Sequence, residues 1–192
     1  FDFCKNYSHI LMTHFYGFAT SDDENIKGFV YEFMSNSSLT NFMNSKQIDE
    51  IFRIKTLFCV FQALSYLHSN NLIHRDIKPC NILIDHNGIP HLSDYDQVRK
   101  VEINQETPMT QSIGTETFAS PEQLNGNEKI SFPTDIYSFG KVIYYLYENK
   151  TISNFDILQM SNGSKEIHYL YEKCCQYNPN KRLKIEDIRS II

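Results

Sequence analysis

The stretch His74-Arg75-Asp76-Ile77-Lys78-Pro79-Cys80-Asn81 gathers several chemically useful side chains into one short segment. Asp76 could accept a proton, Lys78 could neutralise a phosphate, and Asn81 could hold a hard cation through its amide oxygen. A second acid, Asp94, follows Asn81 by thirteen residues. Together these residues supply what phosphoryl transfer requires: a base for the attacking hydroxyl, oxygen ligands for magnesium, and a cation against the developing charge.

The composition is that of a mildly acidic globular domain. The 192 residues are 41% hydrophobic and 14% aromatic, which suits one domain, or a large part of one, with a buried core. Lys and Arg total 18 against 23 Asp and Glu, so the net charge is −5. This balance argues against a nucleic-acid partner and against a basic membrane-binding patch.

The cysteines favour a reducing compartment. They are odd in number and show no C-x-x-C spacing, so free thiols fit better than a disulfide framework or a zinc site. No signal-peptide pattern is present, and the apolar stretches at residues 51–67 and 136–147 are interrupted by charge or too short for a bilayer. We therefore expect a cytoplasmic location and no membrane partner, whereas the oligomeric state is not indicated.

The first third of the chain predicts a hairpin followed by a helix. Alternating residues from Leu11 to Phe18 and from Lys27 to Phe33 are typical of two antiparallel strands, and the polar residues 21–27 between them predict a turn. Serines then precede a predicted helix at about residues 38–45, where they could cap its N-terminus.

The remainder of the chain predicts mainly helices. Residues 49–69 have apolar positions at helical spacing, and Asp49 is a suitable N-cap. Asn87-Gly88 predicts a tight turn between short strands at residues 82–84 and 90–92. The other predicted elements are a long surface loop at 97–113, a buried helix at 134–147, and amphipathic helices at 165–176 and 184–192.

Motifs along the whole chain resemble those of eukaryotic protein kinases, in the order that the family has them. The segment from His74 to Asn81 resembles the catalytic loop, and Tyr31-Glu32-Phe33-Met34 looks like the gatekeeper followed by the hinge. Ser120-Pro121-Glu122 looks like the end of the activation segment, and Asp135 to Gly140 resembles the start of the central helix. Arg182 lies in a motif whose arginine pairs with the activation-segment glutamate, here Glu122.

The resemblance implies an α+β, protein-kinase-like fold and a partial kinase domain spanning residues 1–192. Residues 1–33 would form the end of the small lobe and the start of the hinge, and residues 34–192 the large lobe. The sequence contains no G-x-G-x-x-G loop, and nothing before His9 fills the roles of the strand lysine and its helix glutamate. We therefore expect either a piece of a longer kinase or a truncated relic, with weak Mg-ATP binding and exposed apolar surface where a small lobe would pack.

The resemblance also implies a role for each site residue. Asp76 and Lys78 would be catalytic, and a lysine at this position is typical of Ser/Thr kinases. Asn81 and Asp94 would bind Mg²⁺. The remaining expected contacts are with ATP, whose adenine would meet the backbone of the hinge residues Glu32 and Met34 and the side chain of Leu83.

Regulation and loop architecture are implied in the same way. Arg75 could bind a phosphate in the activation loop, for which Thr107, Thr110 and Ser112 are candidate acceptors. Asp135 would hold the catalytic loop through its backbone amides.

The triplet Asp94-Tyr95-Asp96 departs from the family's Asp-Phe-Gly. Tyr95 keeps the aromatic ring but adds a hydroxyl that needs a partner. Asp96 replaces a glycine, which tolerates backbone angles that other residues resist. The hypothesis is that this replacement slows the switching of the segment without abolishing the chemistry.

Three functions are compatible with the sequence. A Ser/Thr protein kinase, acting on a protein substrate with ATP and Mg²⁺, explains why Asp76, Lys78, Asn81 and Asp94 are all present. A pseudokinase or relic that serves as a binding or regulatory module would explain the missing front and Asp96. A small-molecule phosphotransferase of the same superfamily fits least, because those enzymes lack the Ser-Pro-Glu segment.

Overall fold

The computed structural model describes residue 3 and residues 6–20, 26–101, 117–125, 130–151 and 157–192. Strand β1 (Phe15–Thr20) and strand β2 (Ile26–Tyr31) pair antiparallel, with Phe15 opposite Tyr31 and Phe18 opposite Phe29. The predicted hairpin is confirmed, while most of its turn lies outside the described residues. The predicted start of the first strand at Leu11 is wrong, because the chain first bridges to a different strand, where Met12 pairs with Leu92.

The two predicted helices after the hairpin form where the capping residues place them. Helix α1 (Leu39–Ser45) begins after Ser38, whose Oγ accepts the amide of Asn41 at 3.4 Å. Helix α2 (Glu50–Ser69) begins after Asp49, whose Oδ1 accepts the amide of Phe52 at 2.8 Å. Such caps satisfy backbone donors that the first helical turn leaves unpaired.

Short strands frame the middle of the chain. Strand β3 (Leu72–Ile73) leads into the catalytic-loop segment, which ends in a 3₁₀ turn at Pro79–Asn81. Strands β4 (Ile82–Ile84) and β5 (Pro90–Leu92) then form the predicted antiparallel pair around Gly88, which has a positive φ of 71°.

One strand falls inside the predicted surface loop. Strand β6 (Arg99–Lys100) pairs antiparallel with β3, so the expectation of a structureless loop from residue 97 is wrong for these two residues. Both are charged and exposed, so they lack the apolar alternation by which a strand is predicted from sequence. The rest of that loop, from residue 102, lies outside the described residues.

The helices of the second half pack with α2 to form much of the core. They are α3 (Pro121–Asn125), α4 (Phe132–Glu148), α5 (Lys165–Cys174) and α6 (Ile185–Arg189), with a 3₁₀ turn at Pro179–Lys181. Helix α4 is buried from Thr134 to Tyr147, as its apolar sequence predicts, and packs against α2 and α5.

The contact between α4 and α5 depends on a glycine. A Cβ at Gly140 would lie 2.6 Å from Cys175 Sγ and 2.7 Å from Cys174 Cβ. Distances this short are clashes, so the two helices can approach only because residue 140 has no side chain. Among the described residues, no helix is long and apolar enough to cross a membrane.

Candidate active site

Asp135, at the start of α4, anchors the catalytic-loop segment, residues 74–81. The two carboxylate oxygens of Asp135 accept the backbone amides of His74 and Arg75, each at 2.8 Å. His68, near the end of α2, adds a contact at 3.0 Å through its Nε2. Burial favours the neutral carboxyl, but the hydrogen bond and charge of His68 outweigh it, so the pKa of Asp135 is lowered.

The loop also depends on a strained residue. Arg75 has a positive φ of 72°, a conformation that costs energy for a residue with a side chain. Its amide is held by Asp135, and its carbonyl accepts Gln123 Nε2 from α3 at 2.8 Å. The two contacts keep the turn in place, so that the residues after it have a defined orientation.

Asp76, Lys78 and Asn81 meet at a single carboxylate oxygen. Lys78 Nζ lies 2.8 Å from Asp76 Oδ2, and Asn81 Nδ2 donates to the same oxygen at 2.9 Å. Asn81 Nδ2 also donates to the Asp76 carbonyl at 2.9 Å. Within the described residues Asp76 Oδ1 has no hydrogen-bond partner, so this oxygen can accept a proton from a substrate.

Lys78 stays charged in this arrangement. Burial alone would lower the pKa of its ammonium group, but the hydrogen bond and charge of Asp76 outweigh burial and raise it. Asp94 also raises this pKa, so its carboxylate lies close enough to Lys78 to interact electrostatically. A cation that is paired with Asp76 therefore also lies within electrostatic range of Asp94.

The β4–β5 pair brings Asn81 and Asp94 together. Ile82 at the start of β4 lies opposite Leu92 at the end of β5, so the residues just outside this pair adjoin one another. Ser93 N and Ser93 Oγ donate to the Asn81 carbonyl at 2.9 Å and 3.2 Å. Asp94 is therefore the residue directly after one that is bonded to Asn81, although thirteen residues separate the two in sequence.

These two side chains fit a magnesium ion that is shared with phosphates. Asn81 commits its amide nitrogen to Asp76, which leaves its oxygen as the ligand atom. Among the described residues, the hydrogen-bond partner of this oxygen is Cys80 Sγ at 3.6 Å. Asp94 is exposed and supplies a carboxylate. Among the described residues no group of three or more His, Cys, Asp or Glu side chains could hold a metal alone, and Mg²⁺ needs none, since it is commonly held by one or two protein oxygens plus substrate phosphates.

The expected nucleotide contacts lie beside β4. Leu83 is half-buried between the fully buried Ile82 and Ile84, so strand alternation turns it away from the core. It forms a bridge with Ser38, which follows the hinge residues. Among the described residues, the carbonyl of Glu32 and the amide of Met34 take part in no hydrogen bond, which leaves both groups able to meet an adenine edge.

A buried ion pair joins Glu122, in α3, to Arg182. Arg182 Nη1 and Nη2 bind Glu122 Oε1 and Oε2 at 2.6 Å and 2.8 Å, a bidentate arrangement, as the resemblance implies. Thr134 Oγ1 donates to the same glutamate at 3.0 Å. Burial would raise the pKa of Glu122, but the hydrogen bond and charge of Arg182 lower it.

Arg75 lies within electrostatic range of a second arginine, Arg99. Arg75 Nε is buried and has no hydrogen-bond partner within the described residues. The pKa of Arg75 is lowered, first by burial and then by the nearby charge of Arg99. The candidate acceptors Thr107, Thr110 and Ser112 lie outside the described residues.

Two supporting residues escape prediction from the sequence. Gln123 contacts Arg75 in the loop from 48 residues away, and His68 contacts Asp135, which anchors the loop, from 67 residues away. No local pattern indicates either contact. Asp96 stands where the family has a glycine, and it is not among the described residues with a positive φ. The replacement of glycine by Asp96 therefore costs no backbone strain in this conformation.

Comparison with known proteins identifies the family. The model of the protein kinase domain family matches residues 1–191, and the chain therefore belongs to this family. Kinase domains in general use ATP and a divalent metal ion and act on proteins.

Curated relatives are kinases of several kinds. The chain is 31% identical to a probable serine/threonine-protein kinase of Dictyostelium discoideum, over 95% of this chain and 46% of the relative. It is 27% identical to cysteine-rich receptor-like protein kinase 27 of Arabidopsis thaliana, over 96% and 34%. It is 33% identical to mitogen-activated protein kinase kinase 3 of the same plant, over 73% and 27%. The chain thus spans less than half the length of these relatives.

Proposed function

We propose that this chain transfers the γ-phosphoryl group of ATP to serine or threonine hydroxyls of proteins. The observation that carries the proposal is the arrangement at Asp76, where Lys78 and Asn81 hold Oδ2 and leave Oδ1 open. A base that is oriented in this way can take the proton of an attacking hydroxyl.

Each residue has a role that its contacts support. Asp76 Oδ1 accepts the hydroxyl proton and orients the oxygen for in-line attack. Lys78 keeps the Asp76 carboxylate in one rotamer and supplies positive charge close to the reacting phosphate. Asn81 Oδ1 and the Asp94 carboxylate would hold magnesium, which neutralises phosphate charge when bound.

The nucleotide would lie between the hairpin side and β4. In this proposal residues 1–33 form the end of a small lobe and the start of the hinge, and residues 34–192 form the large lobe. The backbones of Glu32 and Met34 pair with adenine, and Leu83 packs beneath it. A phosphate on the activation segment would bind Arg75, whose Nε has no partner among the described residues and whose neighbour Arg99 adds positive charge.

A non-catalytic role is the second candidate. Asp96 stands where the family has glycine. The intact contacts among Asp76, Lys78 and Asn81 favour catalysis over this alternative, since a binding module has no need of them.

The deciding experiment compares the chain with its Asp76→Asn variant. Transfer of label from γ-³²P-ATP is measured at millimolar ATP and Mg²⁺ on peptide arrays with Ser, Thr or Tyr acceptors. We expect label on Ser and Thr peptides and a loss of about 10²–10⁴-fold in Asp76→Asn, the usual contribution of a general base. Glu172→Gln, an exposed carboxylate on α5, is the matched control and should transfer at the parent rate.

Two outcomes would contradict the proposal. Equal transfer by Asp76→Asn and the parent would show that Asp76 is not the base. No transfer by the parent at saturating ATP, with both proteins folded by circular dichroism, would favour the non-catalytic role.

A further inference from the structure

Asp94 is held in a backbone conformation that it would not choose by itself. Its φ is 65°, in the left-handed region, which costs energy for any residue with a side chain although Asp tolerates it better than most. A strained residue keeps such a conformation only when its neighbours determine it. The groups on either side of Asp94 therefore decide where its carboxylate points.

Ser93 holds the N-terminal side. Its amide and hydroxyl both bind the Asn81 carbonyl, and its own carbonyl lies 3.1 Å from His74 Nε2. These contacts attach the residue before Asp94 to the catalytic-loop segment, at three points.

Tyr95 holds the C-terminal side through its hydroxyl. The Tyr95 side chain is buried, with 6% of its surface exposed, and its Oη donates to the Leu92 carbonyl. Because that proton is committed to Leu92, Thr13 Oγ1, which lies 3.0 Å from Tyr95 Oη, donates to it. The Thr13 amide also donates to the Leu92 carbonyl, at 2.9 Å. Thr13, Tyr95 and Leu92 are thus joined by three buried hydrogen bonds.

The ring alone cannot make these contacts. The Tyr95 ring packs edge-on against His74 at 6.0 Å and lies 5.0 Å from Phe3, contacts that a phenylalanine would also make. The hydroxyl adds a fixed position at the far end of the side chain. A buried hydroxyl is costly unless it is bonded, so the Thr13 partner makes tyrosine acceptable at this position.

We propose that Thr13 and Tyr95 form a hydroxyl latch that positions Asp94 for the metal ion. The inference rests on the proposed function, because it assigns the latch to the Mg²⁺ site of that reaction. The latch joins Thr13, before β1, to Tyr95, directly after Asp94. The Asp94 carboxylate is therefore held in position before any metal ion binds. Tyr95 and Thr13 are positioning residues, since both act through Asp94.

The first test measures local opening without any ligand. Hydrogen exchange by mass spectrometry is compared for the parent, Tyr95→Phe, Thr13→Val and the double variant. Thr13→Val should speed exchange of amides 93–98 by about threefold to tenfold, the factor expected for one net buried hydrogen bond. Tyr95→Phe, which also loses the bond to Leu92, should speed it by at least as much. The double variant should exchange no faster than the faster single variant, because both substitutions break the same contact.

Two control variants separate the latch from general packing. Tyr137→Phe removes a buried tyrosine hydroxyl that has no hydrogen-bond partner among the described residues, so exchange at 93–98 should not change. Thr13→Ser keeps the hydroxyl and should return exchange to the parent rate. Faster exchange in Tyr137→Phe, or exchange at the parent rate in Tyr95→Phe, would overturn the latch.

The second test measures the metal site itself. Mn²⁺ is titrated into the chain with ADP present and followed by electron paramagnetic resonance, and ADP binding is measured separately without metal. Tyr95→Phe and Thr13→Val should weaken Mn²⁺ binding by about threefold to tenfold, with metal-free ADP binding unchanged and Thr13→Ser equal to the parent. A purely structural role would weaken ADP and Mn²⁺ alike.

The outcomes distinguish the latch from the function on which it rests. Unchanged Mn²⁺ affinity in both single variants, with the parent binding Mn²⁺ and ADP, would overturn the positioning role alone. A parent chain that binds no Mn²⁺ in the presence of ADP would overturn that role together with the proposed function, whatever the exchange rates show.

Discussion

The helical half of the chain and the β1–β2 hairpin differ in which side chains they bury and which they expose. In the helical half, ionised groups are buried and bonded: Asp135 is fully buried with three partners, and Glu122 pairs with Arg182. In the hairpin and the hinge, aromatic rings face outward, with Phe29 55% exposed and Phe33 85% exposed. The helical half therefore buries charged groups, whereas the hairpin side exposes apolar groups.

The difference indicates which part of the site is self-sufficient. The catalytic-loop segment is held by Asp135 on α4 and Gln123 on α3, and His68 on α2 contacts Asp135. The hairpin rings pack mainly on one another, with Phe15 and Phe18 at 4.9 Å and Phe18 and Phe29 at 5.5 Å. Exposed aromatic surface of this kind usually marks a binding face. The expectation of exposed apolar surface where a small lobe would pack stays a prediction, which these exposed rings support.

The largest effect should come from breaking the buried ion pair. Arg182→Met leaves Glu122 charged and buried, and we expect the free energy of unfolding to fall by about 3–5 kcal/mol. Urea denaturation followed by circular dichroism measures this. Arg189→Met, an exposed arginine on α6, is the matched control and should stay within about 0.5 kcal/mol of the parent. Equal losses in both variants would mean that the helical half does not depend on its buried charges.

A smaller loss should follow removal of the loop anchor. Asp135→Asn keeps the shape but replaces one acceptor oxygen with a donor that faces a backbone amide, and hydrogen bonds to charged groups contribute about 1.5–3 kcal/mol. Unfolding should become easier by that amount, and amides 74 and 75 should exchange faster. If amides 74 and 75 stayed as protected from exchange as in the parent, Asp135 would not be the anchor of the loop.

Acid should weaken the helical half before the hairpin. Glu122 and Asp135 have folded pKa values below their ordinary 4.5 and 3.8, so their contributions are present above about pH 5 and are lost as the pH falls through the folded values. The lowered pKa of buried His74 adds to this, because below its ordinary 6.5 the unfolded chain binds a proton that the folded chain does not. The midpoint of thermal unfolding should therefore fall steadily from pH 6.5 to pH 3.5.

The double variant Glu122→Gln, Arg182→Met gives the matched control for acid. It removes one of the titrating groups, so its midpoint should change less between pH 5 and pH 3.5. A parent midpoint that is flat across pH 6.5 to 4 would show that these groups do not govern acid stability.

The smallest effect on stability should come from the exposed side. Phe33→Ser alters a side chain that packs little, so the free energy of unfolding should change by no more than about 0.5 kcal/mol. Self-association, measured by sedimentation velocity, should decrease, since apolar surface is removed. A large loss of stability would mean that Phe33 packs more closely than its exposure indicates.

Much of the fold was accessible from local patterns. The caps Ser38 and Asp49, the turn at Asn87-Gly88 and the buried helix α4 all form where the sequence predicts them, because each depends on residues close together in the chain. The kinase family follows from motif order and is confirmed by the family match. The assignment of Asp76, Lys78, Asn81 and Asp94 to roles stays a prediction, with geometry that supports it.

Other features were decided only by the tertiary structure. The pairing of β6 with β3, the support of the loop by His68 and Gln123, and the bond from Thr13 to Tyr95 join residues far apart in sequence. The sequence by itself determined which side chains could do chemistry, because residue type sets charge and ligand atoms. Which oxygen of Asp76 stays open, and which groups hold Asp94, depends on long-range packing, and no local pattern encodes those distances.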